Sequence, residues 1–181
     1  MTDPFLVTPR LLLRAFTAAD TEHIVALHSD PEVMRYIGRP AARAELLAEA
    51  LPPFHADPAR AGLGRWIAEL RDTSEFVGWF GLRPWHDSRS EYEIGYRLAR
   101  AFWGRGLATE GCRALIARAF TDPAVQRVVA QAMAVNLASR RVMEKSGLRY
   151  VRRFNLDFDD PLPGTEQGEV EYALTREQWP S

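Results

Sequence analysis

Several things are scarce in this 181-residue chain. There is one cysteine, Cys112, so no intrachain disulfide can form. No Cys/His cluster has the spacing of zinc ligands, and no metal is expected. Cys112 lies between Gly111 and Arg113 in a helical stretch and reads as packing rather than as a nucleophile. Lys145 is the only lysine, so positive charge is carried almost wholly by arginine, a compositional bias with little functional content. Formal net charge is −1, which points to neither nucleic acid nor an anionic surface. No segment approaches the roughly 20 apolar residues of a membrane span. The first ten residues lack the basic-then-apolar order of a signal peptide. These absences imply a soluble protein of a reducing compartment, the cytoplasm, with neither nucleic acid nor membrane as partner.

What is present is ordinary for a globular protein: 46% hydrophobic and 26% charged residues, in a length that suits a single domain over residues 1–181. No repeat or low-complexity stretch interrupts it. Leu6 to Arg14 reads as a strand. Thr17 and Asp20 offer caps for a helix to about His28, and Asp30-Pro31 restarts a short one. Ala41 to about Phe54 is rich in helix formers. Arg65–Leu70 and Glu75–Leu82 read as a hairpin, followed by the polar loop 85–90. In the next strand Tyr92, Ile94, Tyr96 and Leu98 alternate with Glu91, Glu93, Gly95 and Arg97. A helix over about Gly106–Phe120, a strand Arg127–Val135, a helix from Asn136 to Ser146-Gly147, and two strands (Leu148–Phe158, Val170–Thr175) complete the chain. Consecutive antiparallel strands followed by βαβ crossovers predict an α/β (α+β) fold with a mixed sheet.

The most informative segment joins that alternating strand to its helix. Gly104 and Gly106, one residue apart at a helix start, can turn several backbone N–H groups toward one point, a cradle for phosphate. A turn that merely starts a helix has the same look. A P-loop would need Gly-Lys followed by Ser or Thr, which is missing. A dinucleotide fingerprint would need a third Gly or Ala where Thr109 stands.

The run Trp103-Gly104-Arg105-Gly106-Leu107-Ala108 resembles the acetyl-CoA pyrophosphate motif of the GNAT superfamily of N-acetyltransferases. Gly106 and Ala108 match its last two fixed positions, while Trp103 departs from the usual Arg or Gln. Tryptophan there is the habit of the RimJ/RimL-like branch, whose Trp-Gly-x-Gly-x-Ala-x-Glu is read here as residues 103–110. The resemblance extends to Thr8–Arg14, Glu93–Tyr96, Asn136–Gly147 and Tyr172–Trp179. It implies a GNAT fold, a mostly antiparallel sheet of six to seven strands flanked by helices, and transfer of acetyl from acetyl-CoA directly to a primary amine.

That reaction needs a neutral amine, a polarised thioester carbonyl and a proton for the thiolate. Glu93 is the candidate base; a salt bridge with Arg97 is the bland alternative, and Glu91 on the same face the confounder. By resemblance, backbone groups of Tyr96, Arg97 and Leu98 hold the pantetheine arm. Trp103, Gly104, Arg105, Gly106, Leu107, Ala108 and Thr109 form the phosphate loop. Many relatives carry a tyrosine acid where this chain has Met143, so Ser139 is the substitute, with Asn136 capping its helix and facing the coenzyme. Glu110 needs only a helix-dipole role. Tyr36, Trp85 and Glu93 are the acceptor candidates, with packing the alternative for the two aromatics; Asp157, Asp159, Asp160 and Glu166 could favour a cationic amine, although solvated loop charge is the commoner reason for such a cluster. The acceptor itself (a protein N-terminus, a polyamine, an amino acid, an antibiotic) stays open. The branch also implies a possible homodimer. The competing reading is a CoA-binding sensor that has lost catalysis, for which Met143 speaks.

Overall fold

The computed structural model describes residues 4–39, 43–47 and 64–179. One mixed sheet organises them. Its strands are β1 (Leu6–Val7), β2 (Leu11–Arg14), β3 (Gly64–Leu70), β4 (Phe76–Pro84), β5 (Glu91–Leu98), β6 (Arg127–Met133), β7 (Arg149–Phe154) and β8 (Glu169–Thr175). They lie in the order β1-β2-β3-β4-β5-β6-β8-β7, every neighbour antiparallel except β5 with β6. This sheet has eight strands, where the sequence suggests six or seven. The difference arises because Leu6–Arg14 is two strands rather than one. Pro9 has no N–H for a ladder, and Thr8 closes a turn around it: its Oγ1 accepts from the Leu11 N–H at 2.8 Å, and its N–H donates to the Leu11 carbonyl at 2.9 Å.

The helices are α1 (Thr21–Ser29), α2 (Pro31–Met34), α3 (Arg43–Glu45), α4 (Leu107–Phe120) and α5 (Leu137–Lys145). Thr17 and Asp20 form a capping box ahead of α1, and Asp30 Oδ1 accepts from the Glu32 N–H at 2.9 Å to start α2. Of the helix expected from Ala41 to Phe54, α3 and the turn after it are described; the remainder lies outside the described residues. Gly147, at φ 96°, ends α5 as a left-handed cap.

The sheet has a core on each face. On one, Leu115 and Ile116 of α4 pack with Phe80, Ile94 and Val128. Gly111 permits that closeness, since a Cβ there would sit 2.3 Å from the Phe80 ring. On the other, Ile24 and Leu27 of α1 and Val33 of α2 cover Ile67 and Trp79. Partners directly opposite in a ladder share a face, so Glu93, Val129 and Ala173 belong to the α1 side, as do Met133 and Glu169.

One feature of the register positions the site. β5 and β6 pair only at Glu91–Arg127, Tyr92–Val128 and Glu93–Val129. Beyond Glu93, β5 runs on to Leu98 and β6 to Met133 without pairing, so the sheet opens into a wedge.

Candidate active site

Strand alternation decides which peptide groups line the wedge. The Trp85 N–H donates to the Glu91 carbonyl and the Ala99 N–H to the Val77 carbonyl, both at 2.9 Å. Odd-numbered residues of β5 therefore spend their peptide groups on β4, and the even ones face β6: the Ile94 N–H is used in the last pairing, Glu93 with Val129, and Tyr96 and Leu98 turn theirs toward the wedge. The Leu98 carbonyl is already taken by the Trp103 indole N–H at 2.7 Å, which folds the glycine loop against the end of β5. Arg97, by the same alternation, faces β4 with its backbone.

The loop itself has the shape of a cradle. Gly104 and Gly106 adopt φ 72° and 79°, left-handed conformations that glycine takes without strain. A Cβ on Gly104 would meet nothing within 4 Å, and one on Gly106 would meet Arg10 Nη2 at 3.5 Å. Among the described residues, none of the backbone N–H groups from 104 to 109 has a hydrogen-bond partner, while the Glu110 N–H closes the first helical bond onto the Gly106 carbonyl at 3.0 Å. Six successive donors at a helix N-terminus, with Leu107 buried to fix them, fit a diphosphate. Ala108 and Thr109 are half-buried in the first turn. Arg105 is exposed, its guanidinium 5.3 Å from the Phe102 ring.

The first turn of the sheet braces this loop. Glu110 accepts from Thr8 Oγ1 (2.6 Å), the Arg10 N–H (2.8 Å) and Arg10 Nε (2.7 Å), and Arg10 Nη1 donates to the Arg105 carbonyl at 2.9 Å. Burial alone would raise the Glu110 carboxyl, but the hydrogen bonds from Thr8 and Arg10 together hold it below its ordinary value. Arg10 thus stands beside Gly106, a neighbour that the glycine motif by itself does not announce.

The candidate catalytic groups lie on opposite faces. On the α4 side, Tyr96 reaches across to α5: its hydroxyl is 2.9 Å from Ser139 Oγ, and either can donate. Asn136 Oδ1 accepts from the Ser139 N–H at 3.1 Å and so sets the first turn of α5. Burial pushes the Tyr96 phenol far above its usual range, with Cys112 adding to the rise and the Ser139 hydrogen bond opposing it, so the phenol keeps its proton. Met143 is buried in the core. Cys112 is buried too, and its thiol is likewise pushed up by desolvation.

On the α1 side, Glu93 is only 15% exposed and ion-pairs with Arg83, its cross-strand partner in the β4–β5 register. The salt bridge considered from sequence is therefore made with Arg83. Arg97 instead meets His28, Nη1 lying 3.0 Å from Nδ1. The confounder Glu91 accepts from Arg127 Nη1 at 2.9 Å.

Two adjoining clefts open beside Tyr36, which borders both. One, of about 460 Å³, lies between Arg35–Tyr36 and Val135 with the loop Pro163–Gln167. The other, of about 340 Å³, is bordered by Met133, Phe158, Asp160 and Glu169. Of the acidic loop residues, Asp160 is held by Arg39, Nη2 to Oδ1 2.6 Å, and Glu166 accepts from the Gly164 N–H at 2.9 Å. Trp85 lies at the far end of β5, edge-on to His86, and borders neither cleft. Glu169, the first residue of β8, stands one residue before the strand expected over Val170–Thr175, and nothing in the sequence marks it as bordering a cleft; the Tyr96–Ser139 contact is equally hidden, its partners being 43 residues apart.

Comparison with known proteins is consistent with this geometry. Residues 10–149 match the family described as an acetyltransferase (GNAT) domain. The chain is 36% identical over 187 residues to the FsC-acetyl coenzyme A-N(2)-transacetylase of Aspergillus fumigatus, covering 97% of this chain and 78% of that protein. A GNAT-family acetyltransferase from Bacillus anthracis superimposes with a TM-score of 0.75 at 25% identity, covering 95% of this chain and 98% of that one. Spermidine N-acetyltransferase from Vibrio cholerae, solved with CoA and spermine, shares the fold with a TM-score of 0.76 at 18% identity, covering 93% and 96%.

Proposed function

Because this chain belongs to the GNAT acetyltransferase family and is an acetyl-CoA-dependent N-acetyltransferase, we propose that it moves the acetyl group directly onto a primary amine held on the α1 side of the wedge. The observation that carries this reading is the run of six unspent N–H groups from 104 to 109, next to a wedge into which Tyr96 and Leu98 present theirs. Residues 104–109 would grip the diphosphate, with Arg10 and Arg105 as flanking guanidiniums. The bound thioester supplies an electrophilic carbonyl and a thiolate leaving group. The N–H groups facing the wedge would polarise that carbonyl without any side chain.

Glu93 would take the amine's proton, directly or through water, as Arg83, 71% exposed at its side chain, swings into solvent. The Ser139 hydroxyl would hand its proton to the departing sulfur and be recharged from Tyr96, which is fully protonated at neutral pH, and the pair would regain the lost proton from water as the products leave the wedge. Tyr36 would border the acceptor, and the reaction would run in the cytoplasm. The competing reading, a CoA-binding module without catalysis, draws on Met143, but the Tyr96–Ser139 pair supplies the hydroxyls that Met143 lacks.

Thiol release from acetyl-CoA across an amine panel tests this. The expected result is amine-dependent release that Glu93→Gln lowers by about a hundredfold or more. Coenzyme binding with no release above background for any amine would leave the sensor reading standing. No measurable affinity for acetyl-CoA would end both.

A further inference from the structure

Glu169 is a charged side chain in an apolar position. Its residue is 9% exposed, and among the described residues its carboxylate has neither a hydrogen bond nor an ion pair. Every other carboxylate bordering the smaller cleft differs: Asp160 is spoken for by Arg39, and Glu45 is exposed. Three carboxylates therefore face this cleft against one guanidinium, and that guanidinium is already paired.

The backbone holds Glu169 at this spot. Gly168 takes φ 74°, where a Cβ would collide with the Phe154 carbonyl and Asn155 Oδ1 at 2.6 Å, and its own carbonyl accepts from the Ala134 N–H at 2.8 Å. Glu169 then enters β8 opposite Met133 and Phe154, on the face that also carries Glu93. Burial alone raises its carboxyl above the ordinary value, the signature of a desolvated acid without a cation.

Its distance from the wedge gives the carboxylate a separate task. Glu169 stands on β8, one strand beyond β6, so at least two strand spacings separate it from Glu93 and Tyr96 on β5. It cannot reach a proton at the reacting amine. We propose that Glu169 anchors a second cation of the acceptor, at least about 10 Å from the amine that is acetylated, so that the enzyme selects extended dications over monoamines. Tyr36 and Phe158 at the rim supply aromatic faces for the intervening chain. This rests on the amine-acetylation reading above.

Calorimetry on the full chain saturated with CoA tests it, using octamethylenediamine and octylamine as probes. The diamine binds at least about tenfold more tightly, since its far ammonium meets a desolvated carboxylate that the monoamine leaves bare. Glu169→Gln erases the gap while leaving CoA affinity unchanged, and Glu169→Asp, which keeps the charge, retains part of it. Equal affinity of the two amines in the wild type, or a gap that survives Glu169→Gln, overturns the proposal. Thiol release separates the two claims. A diamine that binds through Glu169 but does not accelerate release refutes transfer and leaves the anchor. Release that proceeds alike with both amines, before and after Glu169→Gln, refutes the anchor and leaves transfer.

Discussion

If Ser139 and Tyr96 form one proton relay, their losses should not multiply. Their hydroxyls are 2.9 Å apart, and only the one nearer the sulfur needs to touch it. Ser139→Ala removes the terminal donor, and a positioned general acid is worth roughly 10²–10⁴ in kcat. Tyr96→Phe leaves the serine hydroxyl in place and removes one hydrogen bond, about 1 kcal/mol, or roughly fivefold. The double variant should fall within about twofold of Ser139→Ala, because a relay without its last member gains nothing from its first. Stability cannot imitate this: a loss of about 1 kcal/mol lowers the melting temperature of a chain this size by roughly 2–4 °C. The assay is steady-state thiol release at saturating acetyl-CoA and amine, with acetyl-CoA affinity measured in parallel and expected to hold. Because the Tyr96 phenol is pushed above its ordinary range, no descending limb from it should appear in kcat below about pH 10. Refutation would be a Ser139→Ala enzyme within twofold of wild type, or single losses that multiply in the double variant.

Three further outcomes follow from the packing and the charges. Gly106→Val forces a β-branched residue into φ 79° at a cost of about 1–2 kcal/mol, and it should weaken acetyl-CoA at least tenfold by calorimetry. Gly111→Ala drives a methyl into the fully buried Phe80 ring and should lower stability in urea by about 1–3 kcal/mol; an unchanged midpoint would mean that α4 can move off the sheet. His28 is held neutral, its pKa lowered to about 3 by burial first and then by the Arg97 and Arg65 charges. The unfolded chain takes up that proton near pH 6.5. Stability is therefore full above that pH and falls below it, by about 1.4 kcal/mol at pH 5.5. His28→Asn should flatten this slope in urea melts at pH 7.5 and 5.5, and a wild-type slope of zero would refute the assignment.

Much of the fold could be read along the chain because its signals are local. Alternation over Tyr92–Leu98, the caps at Thr17, Asp30 and Asn136, and the Gly147 stop each act within a few residues, and each reappears in the structure. The split of the first strand is local too, since Pro9 interrupts the ladder, but the three leucines that follow read as a continuation of the strand. The site was legible in proportion to how much of it is backbone. Gly104 and Gly106 advertise a left-handed loop directly. The side-chain constellation is different in kind, because it depends on the third dimension. Glu93 pairs with Arg83 across a hairpin rather than with Arg97 on its own strand, since odd positions of β4 and β5 face one another in that register. Glu110, readable as a helix-dipole residue, also ties α4 to Thr8 and Arg10, about a hundred residues earlier.

The same register argument gives the proposed acid and base a way to coexist without neutralising each other. Tyr96 and Ser139 stand on the α4 face, whereas Glu93 and Glu169 stand on the α1 face, with the wedge between. A proton leaving the amine on one side cannot short-circuit to the hydroxyl pair on the other except through whatever fills the wedge. The arrangement requires the strands to part beyond Glu93–Val129. Had the ladder continued to Leu98 and Met133, the N–H groups of Tyr96 and Leu98 would be spent on β6 as that of Ile94 already is, and the two faces would be sealed from one another. On the proposed mechanism, the unpaired stretch is what would make two ordinary faces of a sheet the two halves of one reaction.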